Sequence, residues 1–528
     1  MARNLYRLYL YAVFIALFVF AVSATSLLLG TLFAFTPLRG IYASIPAQSD
    51  VVQSLVFAVV SWVISGALGG LHYWLIRRDI QQDPAAATSA IRSFFLNITE
   101  ASGVLLATLL IGFFVLNNWS YNTPSDASGA LGTALATLIM VLALELERRR
   151  TSVQKGAALV FQRLHFFGTQ LILLSYLSAA FLSNIRPLVD TIFFQGQGNL
   201  AQCTNQASYC IRYNALSLVL TVIWFIICWL AYNLITRTDI SRNTRMVMHG
   251  LSLALGIGYI LYGLRTAFEL ALLPAFGISV QLQNVVGYGA NYDFFSPLLL
   301  GLLVGGIYHV LLRDMSLRNL ISKQARLLIE WATAGVLLAG AFWWGIGYGL
   351  YSLLQTVSPT SNIPVSHDWA TTIALVIVGL GYIPLDIYLS RRYKQDPANA
   401  TGPRRGFVLI LLGGGILALA IGGSIALYTW GTALLGSPIS NWPNLAQRGL
   451  AGAIVGASLI GIYLRATLRE HLISRSSQEA SPPAPAPTSA VPSSIENVVD
   501  ELLAGRINRD EAVKLLHALQ TPPAHLPV

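Results

Sequence analysis

The chain has 528 residues, 55% of them apolar and only 11% charged, with a net charge of +10 and a mean hydropathy of +0.62. Soluble globular proteins carry about 25% charged residues, so this composition excludes a soluble enzyme and a disordered chain. The basic residues lie between apolar runs, which makes their excess a topology signal rather than a nucleic-acid footprint.

A spanning helix needs roughly 20 mostly apolar residues. Twelve stretches are predicted to span, in two sets of six. The first set is Leu5–Phe35, Val51–Ile76, Ile91–Leu116, Leu131–Leu144, Leu164–Leu182 and Ala215–Ile235. The second is Val247–Leu273, Phe294–Leu312, Leu327–Leu354, Trp369–Leu389, Phe407–Trp430 and Leu450–Leu464. The fourth and twelfth are short and are expected to begin in the Ala/Gly-rich stretch before them. The first resembles a signal peptide, with Arg3, Arg7 and a Val22-Ser23-Ala24 site, yet its apolar run continues to Phe35. It is therefore read as an uncleaved span. The predicted fold is all-α and polytopic, with about 12 transmembrane helices.

Of the 33 Lys and Arg, 28 fall at the N-terminus, in the even-to-odd connections or in the C-terminal tail. The other side holds Arg39, Arg186, Arg212, Arg265 and Arg448. The positive-inside rule then places both termini in the cytoplasm of a bacterial inner membrane. Cys203 and Cys210 share the longest outer loop, where a disulfide is expected, with two free thiols as the plainer alternative. No His lies in that loop, so no metal site is read there.

Sequence features recur along the chain. Arg77-Arg78-Asp79 is followed by Gln82-Asp83-Pro84-Ala85-Ala86-Ala87-Thr88. Arg391-Arg392 is followed by Gln395-Asp396-Pro397-Ala398-Asn399-Ala400-Thr401. Arg148-Arg149-Arg150, Arg313-Asp314 and Arg469-Glu470 close the fourth, eighth and twelfth spans. Three four-helix repeats are predicted, over 1–155, 156–320 and 321–475. Gly66/Gly70, Gly301/Gly305 and Gly452/Gly456 are expected to pack helices tightly. Residues 476–493 form a Pro/Ala/Ser linker that cannot bury a core. Residues 494–520 carry two short amphipathic helices, the first stopped by Gly505 and the second capped by Asn508 with Glu511 three residues on. These helices are too small to be stable alone, so they are expected to dock on a protein partner, on another copy in a homo-oligomer, or on the membrane domain.

On these Arg-Asp exits and Arg-flanked connections, the four-helix unit resembles an uncharacterised bacterial membrane domain that often occurs in tandem. That resemblance implies topology and no chemistry. The tail, with Leu502-Leu503-Ala504-Gly505-Arg506-Ile507 and Asp510-Glu511-Ala512, resembles short C-terminal helical-hairpin domains of bacterial membrane proteins. Those imply a role in oligomerisation or regulation.

No P-loop, zinc-protease, nucleophile-elbow or dinucleotide signature occurs in the chain, and no cofactor or nucleic-acid partner is read from it. Ionisable residues inside spans are therefore the candidates for function, because bare burial in hydrocarbon is costly. Glu100 lies near the middle of the third span. It could carry a proton or a cation, or it could be a hydrogen-bonded group that holds helices together. Asp386, just after Pro384, is a second ion or proton candidate, with snorkelling to the interface as its alternative. Arg265 and Glu269, four apart on one helix face, are expected to pair. His72, His165, His249 and His309 map to inner helix ends, where two facing imidazoles could bind haem but interfacial His is the plainer reading. Two functions compete: a non-catalytic module that senses, scaffolds or assembles in the bilayer, and a transporter or channel that uses Glu100.

Overall fold

The computed structural model describes residues 2–40, 43–116, 126–150, 156–193, 207–236, 242–278, 293–318, 320–359, 365–436, 439–479, 498 and 512–514. The described residues are almost wholly helical, with no strand among them. Twelve helices are long and apolar enough to cross a membrane: α1 (Arg3–Phe33), α2 (Gln48–Gln82), α3 (Ala90–Leu116), α4 (Ser128–Arg149), α5 (Ala157–Ile185), α6 (Ala215–Thr236), α7 (Thr244–Phe276), α8 (Phe295–Leu317), α9 (Lys323–Val357), α10 (Ser366–Gln395), α11 (Pro403–Leu434) and α12 (Trp442–Leu468). The chain is an all-α, multi-pass membrane protein. As expected, α4 and α12 recruit the Ala/Gly-rich segments before their apolar cores. The basic exit motifs, by contrast, are helical: Arg77 and Arg78 lie inside α2, and Arg391 and Arg392 inside α10. Long basic side chains let a helix run past the hydrocarbon while their charges reach water.

Large apolar side chains point outward along the bundle, including Leu142, Val310 and Leu417, each about three-fifths exposed. Lipid satisfies such a surface and water would not. Between helices there is then little hydrophobic driving force, so close packing and polar contacts hold the bundle. The first and second helices of each set of four pack together: α1 on α2, α5 on α6, α9 on α10. So do the third and fourth: α3 on α4, α7 on α8, and α11 on α12. Contacts of α1 with α4 and of α7 with α9 and α10 join these pairs.

Two crossings show why glycine is needed. A Cβ on Gly132 of α4 would lie 2.8 Å from Gly30 Cα and 2.9 Å from Ser26 O of α1. A Cβ on Gly256 of α7 would lie 2.6 Å from Gly305 Cα, and one on Gly301 would lie 2.7 Å from Gly256 O. The expectation for Gly66 and Gly70 is overturned. A Cβ at either meets nothing within 4 Å, because the π-type turn at Ser65–Gly69 brings Ser65 and Gly69, rather than Gly66 and Gly70, onto the buried face.

Helix α10 breaks at Leu380–Gly381 and resumes at Tyr382. Pro384 has no N–H to give to the Leu380 carbonyl, which accepts instead from Ile383 N at 3.2 Å. On the terminus side, α1 is clasped to the end of α2. Arg7 Nε donates to Asp79 at 2.7 Å, Arg7 Nη2 donates to Asp83 at 2.7 Å, and Arg3 lies 3.4 Å from both carboxylates. By internal contacts residues 1–460 form one compact unit and residues 461–528 a second, the division falling within α12. Most of the hairpin expected over 494–520 lies outside the described residues.

Candidate functional site: a buried charged network on α3 to α6

Ser89 starts α3 by accepting from Arg92 N at 3.3 Å, and its φ/ψ of −66°/145° ends the preceding turn. The buried face then reads Arg92, Ser93, Leu96, Asn97, Glu100, Gly103 and Ala107. Spacings of three and four put these residues on one stripe. That stripe is polar at its terminus-side half and small further on, so it must meet polar partners where it begins.

Glu100 is 4% exposed and lies on the terminus-side half of the helix. Its partner comes from the last turn of α4, whose long side chain reaches back along the bundle. Arg148 Nε donates to Glu100 Oε2 at 3.1 Å, and Arg148 Nη2 donates to Glu145. Arg149 Nε donates to Glu145 Oε1 at 2.6 Å. The Arg148 guanidinium also lies 4.8 Å from the centre of the Phe166 ring of α5, a cation–π contact. Two carboxyl groups are thus held by two guanidinium groups.

His165 sits beside this cluster, 1% exposed, on a π-type turn of α5 at Leu164–Gly168. Such turns inside helices are frequent at functional positions, because they re-aim one side chain. Asn97 Nδ2 donates to Ser93 O at 2.8 Å and faces Ser93 Oγ at 3.1 Å. Its Oδ1 is then the atom that faces His165 Nδ1, at 3.2 Å. In the neutral imidazole this fixes the proton on Nδ1 and leaves Nε2 to accept from the Tyr232 hydroxyl of α6, at 3.2 Å. Glu100 Oε2 is 3.9 Å from His165 Nδ1. About two helical turns before Glu100 on α3, Arg92 binds Glu147 at 2.7 Å and donates to Ala87 O at 3.1 Å. Glu147 also accepts from Tyr73 of α2 at 3.0 Å and lies 3.2 Å from Arg150. Ser93 Oγ donates to Ala158 O of α5 at 2.7 Å. One polar network therefore ties α2, α3, α4, α5 and α6 together.

Two cavities flank it. A space of about 290 Å³ between α1, α3 and α4 is lined by Ser23, Ser26, Thr99, Ser102, Thr133 and Thr137 among others. Its hydroxyls are largely spent: Ser23, Thr133 and Thr137 donate to carbonyls of their own helices, and Ser26 bonds Thr133 at 2.6 Å. A space of about 330 Å³ on the terminus side includes Phe167, Gln170, Asn233, Arg245, His249 and Arg318 in its wall. Phe167 shares the π-type turn with His165.

The other candidates form separate clusters. Arg265 Nη2 and Glu269 Oε2 of α7 are 2.7 Å apart. Glu269 is 1% exposed, accepts from the Thr371 hydroxyl of α10, and lies 3.8 Å from His367 Nε2. Asp386 of α10 accepts from Arg404 of α11, whose guanidinium covers the Phe407 ring at 5.6 Å. His309 lies 3.3 Å from Glu330, His249 packs on the Tyr308 ring, and His72 Nδ1 faces Leu68 O at 2.8 Å. Among the described residues no group of three or more His, Cys, Asp or Glu could hold a metal ion. Cys203 and the Cys210 side chain lie outside the described residues.

Sequence reasoning named Glu100 and missed most of its surroundings. Arg148 read only as part of the basic exit of the fourth span, Glu145 as an interfacial charge near the same end, and Arg92 was not singled out. The available signal was the three-to-four spacing from Arg92 to Glu100, which no apolar helix face requires. No protein-family model, no curated protein and no solved structure matches the chain.

Proposed function

We propose that this protein is a non-catalytic module of a bacterial cytoplasmic membrane that senses or assembles, with both termini in the cytoplasm and residues 494–520 as its docking element. The observation that carries this reading is the state of the candidate carboxylates. Glu100 is held by Arg148, Glu269 by Arg265 and Asp386 by Arg404. A carrier must release its ion, and a carboxylate already paired in low dielectric gives up that pairing at a cost of several kcal/mol. Such pairs fix which helices meet. The even number of spans puts both ends of the membrane domain on one side, and 28 of the 33 basic residues favour the cytoplasm for that side.

The helix pairing supports three tandem four-helix repeats, since first packs on second and third on fourth in every set. It also fits the resemblance to the tandem bacterial membrane domain, and the tail remains our candidate for homo-oligomer or partner contacts. In proteoliposomes the chain is expected to pass no proton or cation current, while deletion of Ser476–Val528 changes particle mass or partner capture.

A second reading, transport through Glu100, rests on a specific observation: Glu100 lies 3.9 Å from His165, which is hydrogen-bonded to Tyr232, and the π-type turn that carries His165 borders the 330 Å³ cavity. A flux in the wild type that Glu100→Gln abolishes would establish that reading and remove ours.

A further inference from the structure

A cavity of about 820 Å³ runs between α9, α11 and α12, lined by none of the residues of the charged network. Its walls are apolar, and glycines make its floor. A Cβ on Gly340 or Gly414 would meet nothing within 4 Å, so these glycines border open space rather than a helix crossing. The cavity spans Val336 to Tyr351 on α9 and Leu459 back to Arg448 on α12. At about 1.5 Å per residue these segments are about 22 and 16 Å long, close to the roughly 15 Å of one leaflet's hydrocarbon.

Only one lining residue is charged, Arg448. It stands at the mouth on the side opposite the termini, its guanidinium 5.1 Å from the centre of the Tyr351 ring. Among the described residues Arg448 makes no salt bridge, and Asp368 of α10 is the acidic group close enough to feel its charge. Tyr348 and Tyr351 share the mouth, and Trp343 and Trp344 lie one to two turns deeper. Aromatic side chains favour the headgroup level, and a guanidinium there binds phosphate. A mostly apolar pocket of about 300–1,000 Å³ with a single orienting polar group is the usual form of a ligand site.

We propose that this cavity binds one anionic phospholipid from the leaflet opposite the termini. An acyl chain lies along the Gly340–Gly414 floor, and the phosphate sits on Arg448. The inference is independent of the sensing or assembly reading. A hollow of leaflet length explains the chain, and the lone cation explains the preference for negative charge. Residues of α3 to α6 take no part.

The test uses the full chain purified in detergent, with phosphatidylglycerol or phosphatidylcholine of identical chains added, and counts bound lipid by native mass spectrometry. Wild type is expected to retain one phosphatidylglycerol in preference to phosphatidylcholine. Arg448→Gln is expected to lower that preference about fivefold, matching one basic side chain near a charged headgroup. Gly340→Leu/Gly414→Leu fills open space without striking a neighbour and is expected to lose both lipids while keeping the wild-type melting temperature. Equal retention of the two lipids by wild type would overturn the proposal. So would undiminished phosphatidylglycerol binding in either variant, or its displacement by millimolar inorganic phosphate, which would point to a free-anion site.

Discussion

Arg148 is asked to do two things, to neutralise Glu100 and to fix Glu145. Replacing one partner of a buried pair strands the other, at about 3–5 kcal/mol. Glu100→Gln and Arg148→Gln are each expected to destabilise the membrane domain by that order, read from thermal unfolding in detergent. The double variant is expected to recover much of the loss, because no charge is left stranded between the two positions. Additive losses would mean the two side chains do not act on each other. At the terminus-side clasp, the Arg7 hydrogen bond holds the Asp83 carboxyl below the usual aspartate range. The stabilisation it lends is full above the unfolded value of ~3.9 and is lost as pH falls through the lower folded value. Stability measured on acidification should therefore fall less steeply in Asp83→Asn than in wild type. The candidate site was half legible at this scale. A carboxylate inside an apolar run announces itself, as Glu100 does. Its partner Arg148 lies 48 residues away at a helix end, where basic residues are ordinary, and its reach depends on how far α4 lies beside α3.

At the closest crossings the helices meet through glycine, while larger side chains such as Leu174, Leu253 and Leu300 fill the wider contacts. Gly132→Ala would press a methyl into the backbone of α1, and about 1–3 kcal/mol of destabilisation is expected. Gly66→Ala, on the open side of α2, should be neutral or slightly stabilising, since Ala favours helix over Gly. A thermal-shift series over these two variants separates a true crossing from a lipid-facing small residue. The twelve spans could be read in advance because bilayer thickness sets their length and apolar composition marks them. Which glycines cross could not, since a Gly pair on a helix face has the same spacing whether it meets another helix or lipid. The same limit hid the break in α10. Pro384 was visible, but the break falls four residues earlier, at the Leu380 carbonyl, which takes Ile383 N in place of the N–H that proline lacks.

At the scale of the whole molecule, the paired charges favour the proposed assembly role over that of a carrier. The repeat of helix pairs, first with second and third with fourth, fits duplication of a unit that is stable only when its neighbours close around it. The charged network crosses the boundary between the first two proposed repeats, joining α3 and α4 to α5 and α6, so the copies are fastened by buried polar contacts as well as by packing. In this proposal the tail is the docking element. The most direct measurement is the native mass of the detergent-purified chain beside a chain that lacks Ser476–Val528. Assembly through the tail predicts a multiple of 57.2 kDa that falls to a single copy on truncation. A mass of one copy both with and without the tail, and with no partner captured, would contradict it.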